Sequence, residues 1–239
     1  MKRVGLLTYH SVPNFGANLQ ALSTVSYLKN HGYDVILINW VPEDLEKYYD
    51  KSISQPQKHE HEVFVQEYLP ISRLCRTSTD VSKVVREYEI STVLIGSDAV
   101  FSYKPILKRI HLSRHTLLAY SSVTADHDYP NPFWGEFKTT DDLQLISLSA
   151  SAQFLDIDKC FRYEKKRLAN SLKDFKYLSV RDTWTSSIVE KLIGKRADLT
   201  PDPVWAFNQN CSSYLTVPDA INKKYSLPEK YAILSFCKR

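Results

Sequence analysis

Glycine is scarce in this chain: its 239 residues hold six, at Gly5, Gly16, Gly32, Gly96, Gly135 and Gly194. Their spacing makes neither G-x-G-x-x-G nor a P-loop, so a nucleotide cradle is not supported. Each glycine instead marks a place where the backbone turns tightly or passes close to a neighbour. Cysteine is sparse as well. Cys75, Cys160, Cys211 and Cys237 lie too far apart in sequence for a metal knuckle or a C-x-x-C redox pair. Two disulfides are arithmetically open, but no secretory signal is visible, which points to reduced, buried thiols and a cytoplasmic protein. Lys2-Arg3 do precede an apolar run, yet Thr8, His10 and Asn14 break it too early for a signal peptide. Long apolar runs are missing too. Val35-Ile36-Leu37-Ile38 has only the length of a strand and the mean hydropathy is −0.33, so no membrane span is expected. Charge of one sign is also lacking: 31 Lys and Arg against 27 Asp and Glu leave a net +4, too mild to argue for nucleic acid. What remains is a globular composition, 43% hydrophobic, in a chain long enough to bury a core without disulfide or metal staples.

The apolar pattern alternates strand with helix. Val4 to Leu7 has strand length and is followed by polar punctuation through Gly16. Residues 17–30 read as a helix with a stripe of Ala21, Leu22, Val25 and Leu28, stopped at His31-Gly32. Asp34 to Trp40 is a second strand, completing a βαβ unit. Its runs are continuous rather than alternating, as in parallel strands covered on both faces. Residues 42–70 lack periodicity and read as a polar excursion with some helix. Thr79 to Glu87 is a helix and Thr92 to Ile95 a buried strand ending at Gly96-Ser97-Asp98. A basic stretch from Lys104 to His115 precedes a short strand at 117–121 and a loop at 129–135. A strand at 143–149 follows, then a helix at 161–175, a strand at 177–180 and a helix at 183–193 stopped by Gly194. Residues 208–229 are loop-rich, and Tyr231 to Phe236 reads as one more strand. The expected fold is α/β, a Rossmann-like parallel sheet with flanking helices. Residues 1–207 are expected to form one domain. Residues 208–239 are expected to be a linker and the first strand of a second domain that this chain largely lacks.

In such sheets ligands bind at the carboxyl ends of the strands. Segments 10–20, 96–101 and 149–152, together with Arg181-Asp182 and Asp202, should gather there. The first segment enters a helix N-terminus, where free N–H groups favour an anion or an electron-rich hydroxyl. Its alternative is a plain turn, with Asn14 as cap, Gly16 for tight geometry and Gln20 exposed. Asp98 could accept a proton from a hydroxyl, or it or Ser97 could cap a following helix. Arg181 could hold a carboxylate or phosphate, or sit in an internal salt bridge with its neighbour. The candidate catalytic residues are Asp98 and His10. The candidate substrate-binding residues are Asn14, Gly16, Asn18, Gln20, Ser97 and Arg181. The basic stretch could face an acidic glycan or anionic lipid, or be a solvated surface. His59 and His61, flanked by Glu60 and Glu62, have a spacing that suits an exposed loop, so no metal is assigned.

Taken in order, these segments resemble the polysaccharide pyruvyl transferase family. The resemblance rests on Gly5-Leu6-Leu7-Thr8-Tyr9-His10, on Asn14-Phe15-Gly16-Ala17-Asn18-Leu19-Gln20, on Gly32-Tyr33-Asp34-Val35 and on Ile95-Gly96-Ser97-Asp98. It continues in Ile146 to Ser151, Leu178-Ser179-Val180-Arg181-Asp182 and Asp202-Pro203. The family pattern after Gly-Ser-Asp has glutamine, an aliphatic residue and tryptophan. Here Ala99, Val100 and Phe101 stand in their place. The resemblance implies two Rossmann-like domains in a GT-B arrangement. It also implies transfer of the enolpyruvyl group of phosphoenolpyruvate to a sugar of a surface or exopolysaccharide, giving a pyruvate ketal, with no cofactor. The donor's anionic groups would then be held mainly by a C-terminal domain, so this chain alone is expected to bind glycan weakly and phosphoenolpyruvate hardly at all. The acceptor would be a glycan, lipid-linked in one variant, with no nucleic acid partner and only peripheral membrane contact. A non-catalytic carbohydrate-binding module and a sugar-nucleotide glycosyltransferase on the same fold are the alternatives.

Overall fold

A computed structural model of the chain describes residues 3–112, 118–138, 140–153 and 155–215, and the single positions 223, 224, 226 and 228. The expected strand at 231–236, Cys237 and part of the basic stretch lie outside them. Six strands form one parallel sheet: β1 (Arg3–Leu7), β2 (Asp34–Leu37), β3 (Thr92–Ile95), β6 (Gln144–Ala150), β7 (Phe175–Val180) and β8 (Asp198–Leu199). Their order is β2-β1-β3-β6-β7-β8. The short β4 (Ile110–His111) and β5 (Ala119–Tyr120) form a separate antiparallel pair. Successive residues of β1 feed different cores: Leu6 packs with Leu22 and Val25, Leu7 with Val93 and Trp134. Covering on both faces is why these strands read as unbroken apolar runs.

The helices begin and end where capping chemistry sits. In α1 (Phe15–Asn30) the Asn14 side chain accepts from the Gly16 N–H at 2.9 Å. Helix α4 (Ser78–Glu87) opens on a reciprocal Thr77/Asp80 capping box. Helix α5 (Arg162–Lys173) leads directly into β7. Helix α6 (Thr183–Ile193) is capped by Asp182, whose carboxylate accepts from the Thr185 N–H at 2.7 Å, and ends at Gly194 with φ +72°. Helix α1 also carries a buried polar face, because a second layer packs on it. Ser23 donates to the Pro203 carbonyl, and Cys211 is fully buried against Ser26. The short α7 (Phe207–Asn210) belongs to this layer, and Asn30 donates to the Asn210 carbonyl.

Residues 42–70, read as a polar excursion with some helix, are mostly helical. They form α2 (Glu43–Asp50) and α3 (Gln55–Tyr68). Helix α2 buries Leu45 alone and α3 buries His61 and Val65, too few residues to print a period. His61 is therefore not in an exposed loop but on the inner face of a helix. Arg109, read within a basic surface, is also buried. Its guanidinium donates to the Lys104 carbonyl, the Tyr120 hydroxyl and the Asp128 carboxylate, the last at 2.8 Å. Cys75, Cys160 and Cys211 are free, buried thiols. Burial pushes the Cys75 thiol up to about 11 and Cys160 up to about 12, so both stay protonated and unreactive.

Between β6 and β7 the register shifts, and buried serines take over the ladder. The Ser179 hydroxyl donates to the Ser147 carbonyl and the Ser147 hydroxyl to the Ser179 carbonyl, each at 3.0 Å. The Ser149 hydroxyl donates to the Pro201 carbonyl at 2.8 Å. This is why the strand alternates serine with apolar residues and yet exposes neither set. Beside it, Gly96 has φ +125°, and a Cβ there would stand 2.1 Å from the Leu148 carbonyl oxygen. Gly32 also has a positive φ, +80°, but open space around it. Gly96→Ala should therefore cost about 3 kcal/mol, against about 1 kcal/mol for Gly32→Ala. Urea unfolding midpoints of the two variants test this. Equal losses would mean that the close approach to β6 does not constrain the site loop.

Candidate active site

The sheet order reverses between β1 and β3, and in doubly wound sheets ligands bind outside the strand ends at such a switch point. Here the crevice has a volume of about 490 Å³. Tyr9 and Asn14 line it from the β1 loop, Asp98 and Ala99 from the β3 loop, and Asp126 and Gln153 from two further loops. The loops are tied to one another. The Gly96 N–H donates to the Leu7 carbonyl at 3.1 Å, and the Ser151 N–H to the Asp98 carbonyl at 2.8 Å. The Thr185 hydroxyl accepts from the Ala152 N–H at 2.9 Å, pinning the β6 loop to α6. Asp98 itself has φ +75°, and Ser149 and Gln153 are likewise left-handed, at +49° and +42°. Non-glycine residues in that region cost about 1–3 kcal/mol each and concentrate at ligand sites.

Asp98 caps no helix. Its carboxylate accepts from the Ala99 N–H at 2.8 Å and from Arg181 at 3.4 Å. Arg181 reaches Asp202 with its other nitrogen at 3.2 Å, and Asp202 accepts in turn from the Gln20 amide. Gln20 is thus buried rather than exposed. Asp182 takes no part, since it caps α6 and accepts from the Ser151 hydroxyl. Arg181 is in an internal salt bridge, but with partners distant in sequence. Ser97 is 1% exposed with no partner for its hydroxyl among the described residues, and its carbonyl accepts from Thr8. Asn14 and Gly16 stay exposed at the N-terminus of α1.

His10 does not face this crevice. It lines a neighbouring cavity of about 320 Å³, together with Asn39 and His61. Its ring is fully buried, with Nδ1 donating to the Thr8 carbonyl at 3.0 Å and Nε2 at 2.9 Å from the Asn39 amide. Burial lowers its pKa, so the ring is neutral and Nε2 is an acceptor. The Asn39 atom facing it is placed as Oδ1, and pairing with a neutral ring that donates from Nδ1 assigns that position to the amide NH₂ instead. Asn18 is also buried on that side and meets His61 Nδ1 at 3.0 Å. The two candidate catalytic residues therefore open onto different cavities.

Several residues that sequence reasoning missed stand beside Asp98. The Tyr9 hydroxyl donates to Asp126 at 2.7 Å, and His127 Nε2 lies 3.5 Å from the same carboxylate. Burial, then the Asp126 charge, raises the Tyr9 pKa well above its ordinary value, so Tyr9 is a hydrogen-bond donor at every physiological pH. Asp126 is 2% exposed, and its second oxygen has no partner among the described residues. Nothing in the aperiodic stretch around Asp126 announces it.

A family model described as polysaccharide pyruvyl transferase matches residues 14–236. The chain belongs to the polysaccharide pyruvyl transferase family. It is a family of transferases, and its name implies a polysaccharide acceptor. No curated protein and no solved structure matches the chain. The departures from the family pattern at 99–101 concern packing. Val100 and Phe101 are buried, and Phe101 stacks on Trp134 at 5.1 Å between ring centres. Of the three, Ala99 is the residue that lines the crevice.

The buried neutral His10 gives a pH signature. The unfolded chain takes up a proton there near 6.5, and the folded chain does so only at lower pH. Stability should therefore be fully present above pH 6.5 and fall below it, by at most about 1.4 kcal/mol per pH unit from this ring. Urea midpoints at pH 7.5, 6.5 and 5.5 should fall more steeply for the wild type than for His10→Asn. Parallel slopes would show that the folded chain accommodates the charged ring.

Proposed function

We propose that this chain supplies the acceptor side of a ketal-pyruvyl transferase. In this reading a sugar hydroxyl adds to C2 of the enolpyruvyl group of phosphoenolpyruvate. The proton it loses passes to a base, C3 gains a proton, and phosphate leaves. A second hydroxyl then adds to the C2 cation left by phosphate, its proton passing to the departing phosphate, and closes the pyruvate ketal on a surface or exopolysaccharide. Asp98 is the base for the attacking hydroxyl, within the 490 Å³ crevice. Tyr9, whose proton is held by Asp126, offers its hydroxyl oxygen as an acceptor to a sugar hydroxyl, and Asp126 fixes its orientation.

One observation carries the assignment to the acceptor: the guanidinium of Arg181 is already matched by two carboxylates, Asp98 and Asp202. With Asp126 nearby, the crevice holds a surplus of acceptor oxygens, which suits a polyol and repels a dianion. The donor's phosphate and carboxylate then call for cations from another element. We assign them to the second half of a GT-B arrangement, of which the sheet and the layer packed on α1, through Cys211, form the first. His10, on the far side of the β1 loop, is a positioning residue in this scheme: it holds that loop through the Thr8 carbonyl. The free buried thiols accord with a reducing, cytoplasmic setting. No helix among the described residues is long and apolar enough to cross a membrane.

The test is phosphate release from phosphoenolpyruvate with a panel of glycans, using this chain alone and any longer protein that contains it. The 239-residue chain should stay at background. In an active enzyme, Asp98→Asn should lower turnover at least about 100-fold. A thermal melt checks that its fold is kept. An unchanged rate would remove Asp98 from the chemistry, and release by the 239-residue chain alone would place the donor site within it.

A further inference from the structure

A larger cleft, of about 950 Å³, opens beside the crevice, between α2 and the segments 102–108 and 122–127. Lys47 and Lys51 line it from α2, Lys104 and Lys108 from the opposite wall, and Asp44 is the one carboxylate in its lining. Lys47 is paired with Glu43, and Lys108 with Asp156 at 3.2 Å. Lys51 and Lys104 are exposed and form no ion pair among the described residues. Neither wall is loose. Asp44 accepts from the Ala125 N–H at 2.8 Å and so ties the two sides together. The Lys104 backbone is held from both directions: its N–H donates to the His127 carbonyl at 3.1 Å, and its carbonyl accepts from the buried Arg109 at 2.7 Å. Tyr103 is anchored to the buried Glu164. Tyr48 stands 62% exposed on the α2 wall, an aromatic face of the kind that sugar rings cover. Tyr49 and His127 line both this cleft and the Asp98 crevice, so the two adjoin at a shared wall.

We propose that this cleft binds an acidic glycan, and that its lysines take carboxylate or phosphate substituents of the acceptor chain. The inference rests on the acceptor-side reading above and adds the charge of the substrate. The groove is polarised along its length: acceptor oxygens at the Asp98 end meet a neutral sugar hydroxyl, and cations further out meet the charged units behind it. Two unpaired lysines on opposing, braced walls attract such a chain at distance and fix its register. A three-carbon donor such as phosphoenolpyruvate would fill a small part of this volume, whereas several linked sugars would span it.

The experiment is calorimetry on the 239-residue chain with two probes, a galacturonic acid tetramer and its fully methyl-esterified form. They share sugar and linkage and differ in charge. The acid should bind at least tenfold more tightly in 50 mM salt, and 300 mM salt should close the gap. Lys51→Ala and Lys104→Ala should each weaken the acid several-fold and leave the ester unchanged. Both positions are exposed, so the variants should melt with the wild type. Equal binding of acid and ester would overturn this proposal and leave the acceptor-side reading standing. Binding of neither would overturn both. Two further arms challenge the occupant. Lysine-dependent binding of phosphatidylglycerol vesicles without binding of the tetramer would assign the cleft to a lipid surface. Displacement of the bound tetramer by micromolar phosphoenolpyruvate would assign it to the donor. Either result would overturn the proposal.

Discussion

Arg181, at the end of β7, holds the carboxylates of Asp98 and Asp202, and the architecture of the site depends on that contact. Asp98 follows β3 and Asp202 follows β8, and Gln20 of α1 closes the chain through Asp202. One guanidinium thus fastens four elements that are distant in sequence. Its side chain and its two partners are all partly screened from water, at 28%, 24% and 14% exposure, so the pairing is stronger than at an open surface and less costly to form than in a dry core. On the acceptor-side reading proposed above, the same contact also bears on what the site can recognise. A cation with two carboxylates cannot also hold an incoming dianion, so its charge serves the fold and the crevice keeps a negative surplus.

The second constraint is steric. Gly96 lies where any side chain would collide with β6, and the neighbouring left-handed residues bend the loop ends inward. Buried serines hold β6 against β7 where the backbone ladder slips, and they reach onward to Thr200 and Pro201. Because side-chain hydroxyls satisfy the backbone there, the β8 connection can lie across the sheet end and deliver Asp202 to Arg181. A strict ladder would leave the segment no such anchor.

The parallel sheet was legible because its strands are buried on both faces and its helices carry caps. Asn14, Gly32 and Gly194 mark boundaries by chemistry that needs no tertiary context, whereas the Asp182 cap came only with the structure. Helices α2 and α3 were not legible, since their contacts with the body come from one or two residues each and the rest of their surface is solvated. Within the site, Asp98 and Arg181 could be named because they end buried strands. Their pairing could not, since adjacency across the sheet is set by strand order and not by spacing. Asp126 and His127 come from an aperiodic loop and gave no signal at all. His10 shows the reverse failure: its place after β1 was read correctly, but the turn aims its ring away from Asp98.

Helix α2 borders three openings among the described residues, the Asp98 crevice, the lysine-lined cleft and the cavity of His10, and Tyr49 is the α2 residue that lines all three. The helix itself is anchored by the burial of Leu45 and by the tether from Asp44 to Ala125. Selection can therefore rewrite its exposed surface without disturbing the sheet or the Arg181 cluster. In lineage terms, on the proposed reading the part that would meet the ligand is separable from the part that holds the fold, and a few changes along one short helix would diversify recognition while leaving the scaffold intact.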